Sequence, residues 1–305
     1  MEAMQETQDL FPTRLERKLG MFERIDPVVH SQGAQRSDGP LSEAQVDEFE
    51  AKGFLSFESF FDKEEMDAFI QELRDYEEDD DLKSSEGTVL EPGKQEIRSI
   101  FGIHEVSERF RRLTRDPRLL EMVRQLLGSD VYMHQSRINY KPGFKGKGFD
   151  WHSDFETWHS EDGMPRMRSL SCSIILTENG EFNGPLMLIP GSHNVFIPCV
   201  GRTPENNYKE SLKSQEIGVP DVRSLTELMT EYGIEAPKGP SGSLIMFECN
   251  TLHGSNTNMS CWPRSNLFFV YNSVENTLHN PYCGNRPRPE FLANRKDWSP
   301  LKPIE

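Results

Sequence analysis

After residue 40, hydrophobic positions recur at helical spacing in three stretches of the chain. Each stretch begins with residues that favour a helix start, namely Ser42 with Gln45, Asp62 with Glu65, and Asp116 before Pro117. Gly53 and Gly128 follow the first and third stretches, and glycine is common just after a helix. The pattern therefore predicts three helices, with the short strand-like run Gly53–Phe61 after the first. Their apolar positions are Val46 and Phe49, then Met66, Phe69, Ile70 and Leu73, then Leu119, Leu120, Val123, Leu126 and Leu127.

Beyond residue 130 the pattern changes to short β-rich runs separated by Gly, Pro and Asn. Such runs are typical of an antiparallel sandwich or barrel. One helical stretch, Asp221–Tyr232, interrupts them. We therefore expect a mainly β chain with a jelly-roll core over about 130–275 and helices packed outside it. The runs begin at Val131, Ser169, Gly184, Gly242 and Ser265.

The domain organisation predicted from the sequence is an N-terminal arm over 1–40 and a single domain over 41–305. The arm is polar, and it contains Pro12, Pro27 and the stretch QGAQRSDGP. The all-acidic run Glu77–Asp81 is predicted to be a solvated loop, as charge blocks usually are.

Charge and cysteine content restrict the classes of partner. The 50 acidic and 34 basic residues give a net charge of −16, which argues against nucleic acid or an anionic membrane as the main partner. No apolar run reaches the length of a membrane span, and the N-terminus lacks the features of a signal peptide. The five cysteines contain no CxxC pair, which disfavours a disulfide framework or structural zinc. We expect a cytoplasmic protein.

His152 and Asp154 are the first candidate metal ligands. They are two residues apart, and in a strand such residues point to the same face. The pair alone is weak evidence, since it could equally be a hydrogen-bonded surface pair. Support comes from His253, which follows the strand-like run Ser243–Phe247. Two histidines and one carboxylate are the ligands of non-haem Fe(II) oxygenases, which keep three open positions on the metal.

Arg264 is a candidate for binding an anionic cosubstrate. It precedes the β-run Ser265–Ser273, and it would return towards the metal if this run and Ser243–Phe247 were antiparallel neighbours. A fixed guanidinium there could hold the far carboxylate of a dicarboxylate such as 2-oxoglutarate. The alternative is a surface arginine, and the order HxD…H…R favours the cosubstrate role.

The same residues resemble a known family, the Fe(II)/2-oxoglutarate dioxygenases of the phytanoyl-CoA hydroxylase type. The shared pattern is His152-x-Asp154, Pro190-Gly-Ser-His193, His253-Gly-Ser and Arg264. The stretch from Phe149 to Pro165, FDWHSDFETWHSEDGMP, is similar to the signature of the ectoine hydroxylases. Further matching runs begin at Gln135, Asn179 and Asn266, so that the resemblance covers nearly the whole chain.

The resemblance implies a double-stranded β-helix (cupin-like) fold, Fe(II) and 2-oxoglutarate. The reaction would be O2-dependent hydroxylation of ectoine to 5-hydroxyectoine, a compatible solute of the stress response, with release of succinate and CO2. It also implies a homodimer. The catalytic metal ligands would be His152, Asp154 and His253. The cosubstrate positions would be Arg264, Phe149, Arg137 and Ser255. The substrate positions would be Gln135, Thr157, Trp158, Ser171 and Arg288, the last of which a partner subunit can contribute in the family.

The chemistry of ectoine is compatible with these substrate positions. Ectoine is a small cyclic zwitterion with a delocalised amidinium and one carboxylate. The face of Trp158 suits such a cation. Gln135 or Thr157 can hydrogen-bond a polar edge, and an arginine suits the carboxylate. Ordinary packing is the alternative role for Trp158.

Other functions and ligands are compatible with parts of this pattern. The iron chemistry could act on another small amino acid such as proline, or on an acyl-CoA, and a non-catalytic metal-binding sensor is a different class. Asp154 argues against a halogenase, in which that position must be vacant. His159 lies at the wrong strand parity for a ligand, and His193 is expected in a hydrogen-bonded turn. Three further histidines and two cysteines are predicted to be structural, the cysteines as buried thiols: His104, His134, His279, Cys249 and Cys261.

Overall fold

The computed structural model of the chain describes residues 9–18, 20–91 and 96–304. Its strands are β1 (Phe22–Glu23), β2 (Phe54–Phe57), β3 (Thr88–Leu90), β4 (Ile97–Phe101), β5 (Val131–Lys141), β6 (Phe149–His152), β7 (Ser169–Ile175), β8 (Leu186–Leu188), β9 (Val195–Phe196), β10 (Leu244–Glu248), β11 (His253–Ser255) and β12 (Arg264–Ser273). They form antiparallel sheets with the orders β2-β10-β7-β12-β5-β4-β3, β6-β11-β8 and β1-β9.

The helices lie mainly before the β-rich part of the chain, as the sequence predicts. They are α1 (Ala34–Ser37), α2 (Glu43–Lys52), α3 (Lys63–Glu78), α4 (Asp80–Lys83), α5 (Ile103–Val106), α6 (Glu108–Leu113), α7 (Pro117–Leu127), α8 (Asp154–Thr157), α9 (Tyr208–Ser211) and α10 (Val222–Tyr232). A π-helical turn, Trp158–Asp162, continues α8. The predicted capping box of Ser42 with Gln45 is present, and Gly53 ends α2 in the left-handed region at φ 82°.

The seven-stranded sheet has a different hydrophobic cluster on each face, because side chains alternate along a strand. Its outer face carries Leu170, Cys172 and Ile174 of β7, which pack with α2, α3 and α7. On its inner face, Phe247 and Phe268 pack with apolar residues of the three-stranded sheet, Leu186 and Leu188. Two sheets that enclose a core, with helices on the outside, form the predicted jelly-roll.

The acidic run Glu77–Asp81 is exposed as predicted, but it is not a loop. It ends α3 and begins α4, where the Asp79 side chain accepts a hydrogen bond from the Leu82 amide. Acidic side chains stabilise a helix N-terminus because they complement its dipole and cap its free N–H groups. A short helix is therefore compatible with this charge.

The described part of the N-terminal segment packs against the rest of the chain. Phe11 is only 2% exposed, and Val28 and Val29 belong to the main core. β1 pairs with β9. The division into 1–40 and 41–305 stays a prediction. In the described part of the chain, no helix combines the length and apolarity needed to span a membrane.

Candidate active site

The three predicted metal ligands meet between the two main sheets. His152 ends β6 and pairs directly with His253, the first residue of β11. The Asp154 carboxylate lies 3.6 Å from His152 Nε2 and 3.8 Å from His253 Nε2. Their ligand atoms all lie within 4.8 Å of one another, close enough to hold one metal ion. We call His152, Asp154 and His253 the metal triad.

The predicted reason for this convergence was wrong in one respect. His152 and Asp154 do not share a strand face, because β6 ends at His152. Ser153 caps the next helix by accepting a hydrogen bond from the Glu156 amide, and Asp154 is the first residue of α8. A helix start, and not strand alternation, therefore brings the carboxylate beside the two rings.

Both imidazole rings are oriented by their own local backbone. The distance from His152 Nδ1 to Asp150 O is 2.7 Å, and from His253 Nδ1 to Thr251 O it is 3.0 Å. Nδ1 therefore carries the proton in each ring, and Nε2 is left as a ligand. Burial and the neighbouring His152 lower the pKa of His253 to about 4, so that this ring is neutral at pH 7. Asp154 Oδ2 is buried without a hydrogen-bond donor in the described residues. This set of two nitrogens and one carboxylate fits Fe(II).

Arg264 lies in the same cavity as the metal triad. It is 1% exposed, and burial lowers its pKa to about 10. Its Nε has no hydrogen-bond partner, and no acidic side chain in the described ranges forms an ion pair with it. A buried guanidinium without a counter-ion is unfavourable unless an anion enters the cavity.

The path by which Arg264 reaches the cavity differs from the predicted one. β10 and β12 are not neighbours, because β7 lies between them and pairs with both. Arg264 pairs instead with Lys141 at the end of β5. It reaches the cavity because it lies on the same strand face as Phe268, which points between the sheets.

Lys141 is a basic residue near this position that the sequence did not single out. Its Nζ donates a hydrogen bond to Ser255 Oγ (2.8 Å) and lies 5.5 Å from the ring centroid of Phe149. Burial and the neighbouring Arg264 lower the pKa of Lys141 to about 6. The sequence did contain a signal, since polar residues occupy every second position of β5: Gln135, Arg137, Asn139 and Lys141.

Arg137 and Gln135 link the metal triad to the C-terminal segment. Arg137 Nη2 lies 4.0 Å from Asp154 Oδ2, and its guanidinium stacks 4.7 Å from the ring centroid of Phe268. Another of its nitrogens donates to Gln135 Oε1, while Gln135 Nε2 donates to Leu292 O (2.7 Å). Both side chains therefore have fixed orientations at the cavity.

One wall of the cavity begins at α8, and its residues come from parts of the chain that are distant in sequence. We call Thr157, Trp158, Glu161 and Arg288 the turn wall. Arg288 reaches the cavity within its own chain, and it binds both oxygens of Asp162 at 2.7 and 2.6 Å. Trp158 is buried and packs edge-on against another ring of the interior, that of His134, at 5.2 Å.

The cavity encloses about 930 Å³, counted out to its open side. Eleven of the twelve predicted site residues line it. The exception is Ser171, which is fully buried on β7 and does not line the cavity. The lining residues that the sequence did not indicate are Ser99, Phe101, Asn139, Glu161, Leu186, Asn207, Ser211, Leu212, Gln215, Ile217, Gly254 and Phe268. Glu161 belongs to the signature stretch, but residues 207–217 carry no periodic or motif signal.

The residues set aside as ligands have other partners. His159 lies near Met164 O and Asp9 Oδ1, at 2.7 and 2.9 Å from its ring nitrogens, and it is not among the metal-binding groups of the described residues. His193 lies in the turn Ser192–Asn194, as predicted, and its Nε2 contacts the backbone carbonyl of Glu50 in α2 at 3.0 Å. The expectation of a buried thiol is wrong for Cys261, which is exposed because it lies in the irregular segment before β12.

Comparison with known proteins identifies the family. Residues 49–266 match the phytanoyl-CoA dioxygenase (PhyH) family model. The chain is 54% identical to an ectoine dioxygenase of Halomonas elongata, over 96% of this chain and 89% of the relative. It is 52% identical to an ectoine dioxygenase of Bordetella bronchiseptica, over 98% and 96% of the two chains.

Solved structures agree with these relatives. The structure of EctD from S. alaskensis with 2-oxoglutarate and 5-hydroxyectoine has a TM-score of 0.87 and 45% identity, covering 97% of this chain and 98% of EctD. The same enzyme with bound Fe has a TM-score of 0.86, at the same identity and coverage. A non-haem α-ketoglutarate-dependent carbocyclase, SnoK, is 19% identical with a TM-score of 0.60, over 87% of this chain and 94% of SnoK, and shows the fold alone. The predicted fold class is confirmed. The chain belongs to the phytanoyl-CoA dioxygenase family, which includes the ectoine dioxygenases.

Proposed function

We propose that this protein is an Fe(II)- and 2-oxoglutarate-dependent dioxygenase that hydroxylates ectoine to 5-hydroxyectoine. The reaction consumes O2 and releases succinate and CO2. The observation that carries the proposal is one cavity that contains both the metal triad and the unpaired guanidinium of Arg264. The ectoine dioxygenases at 52–54% identity support the choice of substrate.

His152, Asp154 and His253 would hold the iron. Bound Fe(II) would supply the oxidising chemistry that couples O2 and 2-oxoglutarate to the hydroxylation of a C–H bond. The protein's own contribution is orientation, since two backbone carbonyls fix the imidazole rings and the start of α8 fixes the carboxylate. Arg137, near Asp154 Oδ2, favours the charged form of this carboxylate.

Arg264 would bind the distal carboxylate of 2-oxoglutarate. A guanidinium forms two parallel hydrogen bonds with a carboxylate, and it keeps its charge when buried. Ser255 and Phe149 lie beside Lys141, whose lowered pKa leaves Arg264 as the main positive charge at this end of the cavity. Arg137 is the fourth residue of the proposed cosubstrate site.

Thr157, Trp158 and Arg288 of the turn wall would bind ectoine together with Gln135. Trp158 offers an aromatic face for the amidinium. The Thr157 hydroxyl accepts a hydrogen bond from Arg14 Nη2 (3.3 Å), which leaves its own proton free to donate. Arg288 remains the proposed partner of the substrate carboxylate. Ser171 stays a proposed substrate residue, although it is fully buried on β7 and does not line the cavity.

The proposal also covers the biological role, the location and the oligomeric state of the enzyme. The product is a compatible solute, which places the enzyme in hydroxyectoine biosynthesis during stress. The proposal includes a cytoplasmic location, which five cysteines without a disulfide support. The homodimer implied by the family resemblance is part of the proposal, and sedimentation of the purified protein tests it.

Succinate release tests the proposed function directly. The purified protein is incubated with Fe(II), 2-oxoglutarate and O2, with ectoine, proline or an acyl-CoA at equal concentration. Ectoine should raise succinate release by on the order of 100-fold more than proline does, because buried polar groups reject analogues that leave them unpaired. Mass spectrometry should show one added oxygen atom on ectoine. Equal stimulation by proline, or no stimulation by ectoine, would contradict the substrate assignment.

A further inference from the structure

Glu161 has one carboxylate oxygen that no described part of the protein uses. The residue is 5% exposed and lines the cavity. Its Oε1 accepts hydrogen bonds from Arg14 Nη1 (3.1 Å) and Asn207 Nδ2 (2.9 Å), while Oε2 accepts none from the residues in 9–18, 20–91 and 96–304. This oxygen is open to the cavity, and a carboxylate forms strong hydrogen bonds with a charged donor that enters it. A donor in the cavity would therefore bind there favourably.

Arg288 is positively charged and, like Glu161, has one polar atom that no described part of the protein uses. Asp162 accepts hydrogen bonds from its Nε and Nη2, whereas Nη1 donates none to the described residues. Its pKa is raised by its carboxylate neighbours despite burial, with Asp162 the larger contributor and Glu161 the smaller. One acidic edge and one basic edge are thus open to the same cavity, which suits a zwitterion.

Apart from Glu161 and Arg288, the charged residues of the cavity are assigned to the metal and the cosubstrate. Asp154 and Glu161 are its two acidic lining residues in the described part of the chain. Asp154 belongs to the metal triad, and Arg264 suits the cosubstrate. Glu161 is therefore the acid that remains for a cationic group of the substrate.

We infer that Glu161 binds the cationic, amidinium side of the substrate and so selects cyclic zwitterions over uncharged rings. The inference rests on the proposed function. Trp158 and Glu161 would act on the same cation in different ways. The indole covers the face of the delocalised system, and the carboxylate accepts an N–H in the plane of the ring. Arg288 would hold the carboxylate of the same molecule.

The variant Glu161→Gln separates this role from a structural one. Its amide oxygen still accepts from Arg14 and Asn207, so that the fold is preserved while the charge is lost. We expect KM for ectoine to rise by roughly 10- to 100-fold, the effect of losing a desolvated charge partner. Melting temperature and iron content should stay close to those of the parent protein.

Glu156→Gln is the matched control. Glu156 binds the same arginine, Arg14, through both of its oxygens, but it does not line the cavity. This variant should lower the melting temperature and raise KM for ectoine only slightly, far less than Glu161→Gln does. If Glu161→Gln instead lowers the melting temperature without changing KM for ectoine, Glu161 is a structural residue and the inference is wrong.

A fragment of the substrate gives a test that does not need turnover. The cation 2-methyl-1,4,5,6-tetrahydropyrimidine is ectoine without its carboxylate, and its binding can be measured by calorimetry on the iron-loaded protein. Glu161→Gln should weaken this binding about tenfold or more, whereas Arg288→Lys should leave it unchanged. Equal binding by parent and Glu161→Gln would overturn the inference. Failure of the parent to release succinate with ectoine would instead overturn the proposed function.

Discussion

At the metal triad, His152 and His253 face each other across one antiparallel strand pair, and neighbouring backbone carbonyls orient both rings. The turn wall is held from much farther away. Arg14 of the N-terminal segment binds both oxygens of Glu156 and one of Glu161. The metal-binding part of the cavity thus depends on local geometry, whereas the opposite wall depends on the packing of segments that are distant in sequence.

This difference indicates which changes the two regions tolerate. The metal triad needs two neighbouring strands and one helix start. The turn wall needs the N-terminal segment, the residues around 207 and the C-terminal segment to pack together. We therefore expect substitutions at the triad to abolish the reaction, and substitutions behind the turn wall to change mainly affinity and stability.

The largest effect is expected for Asp154→Ala. It removes one of three metal ligands, and changes in outer-shell partners of such ligands already cost roughly 10- to 100-fold. Turnover should fall by more than this, and iron content should fall with it. Iron analysis and succinate release measure both quantities, and thermal unfolding of the metal-free protein checks the fold. Full iron content with full hydroxylation would contradict the assignment of the triad.

Arg264→Ala should have the next largest effect. The cosubstrate carboxylate would lose its charge-assisted partner, at about 2–5 kcal/mol, so that KM for 2-oxoglutarate rises strongly. Arg264→Lys should restore part of the affinity, because a lysine cannot form the two parallel hydrogen bonds. The dependence of succinate release on 2-oxoglutarate concentration measures both variants. Saturation curves identical to that of the parent would mean that Arg264 does not bind the cosubstrate.

Trp158 is predicted to have an intermediate effect that is confined to the substrate. Trp158→Phe keeps an aromatic ring in the core and weakens the cation–π contact, while Trp158→Ala removes it, at about 1–2 kcal/mol. KM for ectoine should rise in that order, with KM for 2-oxoglutarate nearly constant. Melting temperatures are needed beside the kinetics, because the alanine variant also leaves a cavity. An equal rise in both KM values would assign Trp158 to packing alone.

The smallest effect on turnover is expected for Thr13→Val, which is nearly isosteric. The Thr13 hydroxyl donates to Glu156 Oε1 (2.6 Å) and accepts from the Cys199 amide (2.9 Å). Its loss should destabilise the protein by about 1–3 kcal/mol, because these buried groups lose partners. Denaturant unfolding measures the loss. KM for ectoine should rise slightly, and a larger rise in KM for 2-oxoglutarate would show that the two regions are not independent.

The sequence was sufficient where the structural cause is local. The capping pairs predicted α2, α3 and α7, and the β-rich runs predicted the strands of the large sheet. The metal triad was found although the assumed strand face was wrong, because the spacing of His152 and Asp154 also suits a strand followed by a capped helix. Residue type and spacing carried enough information in both cases.

The remaining features of the fold and the site could be recognised only from the three-dimensional structure. That β7 separates β10 from β12 follows from the pairing of strands distant in sequence, which no local pattern contains. Glu161 lies within a recognised stretch, yet its position depends on Arg14 and Asn207, two residues far from it in sequence. The residues around 207–217 line the cavity without a hydrophobic period, since they are positioned by the segments that they contact.

The unpaired guanidinium of Arg264 has a consequence for the lifetime of the protein. Folding without cosubstrate buries a positive charge that nothing in the described chain neutralises, and a dicarboxylate that binds only the folded form stabilises it by mass action. Resistance to heat and to proteases should therefore follow the concentration of 2-oxoglutarate. A cell rich in this metabolite would then keep more of the enzyme intact, before any effect on its rate of turnover.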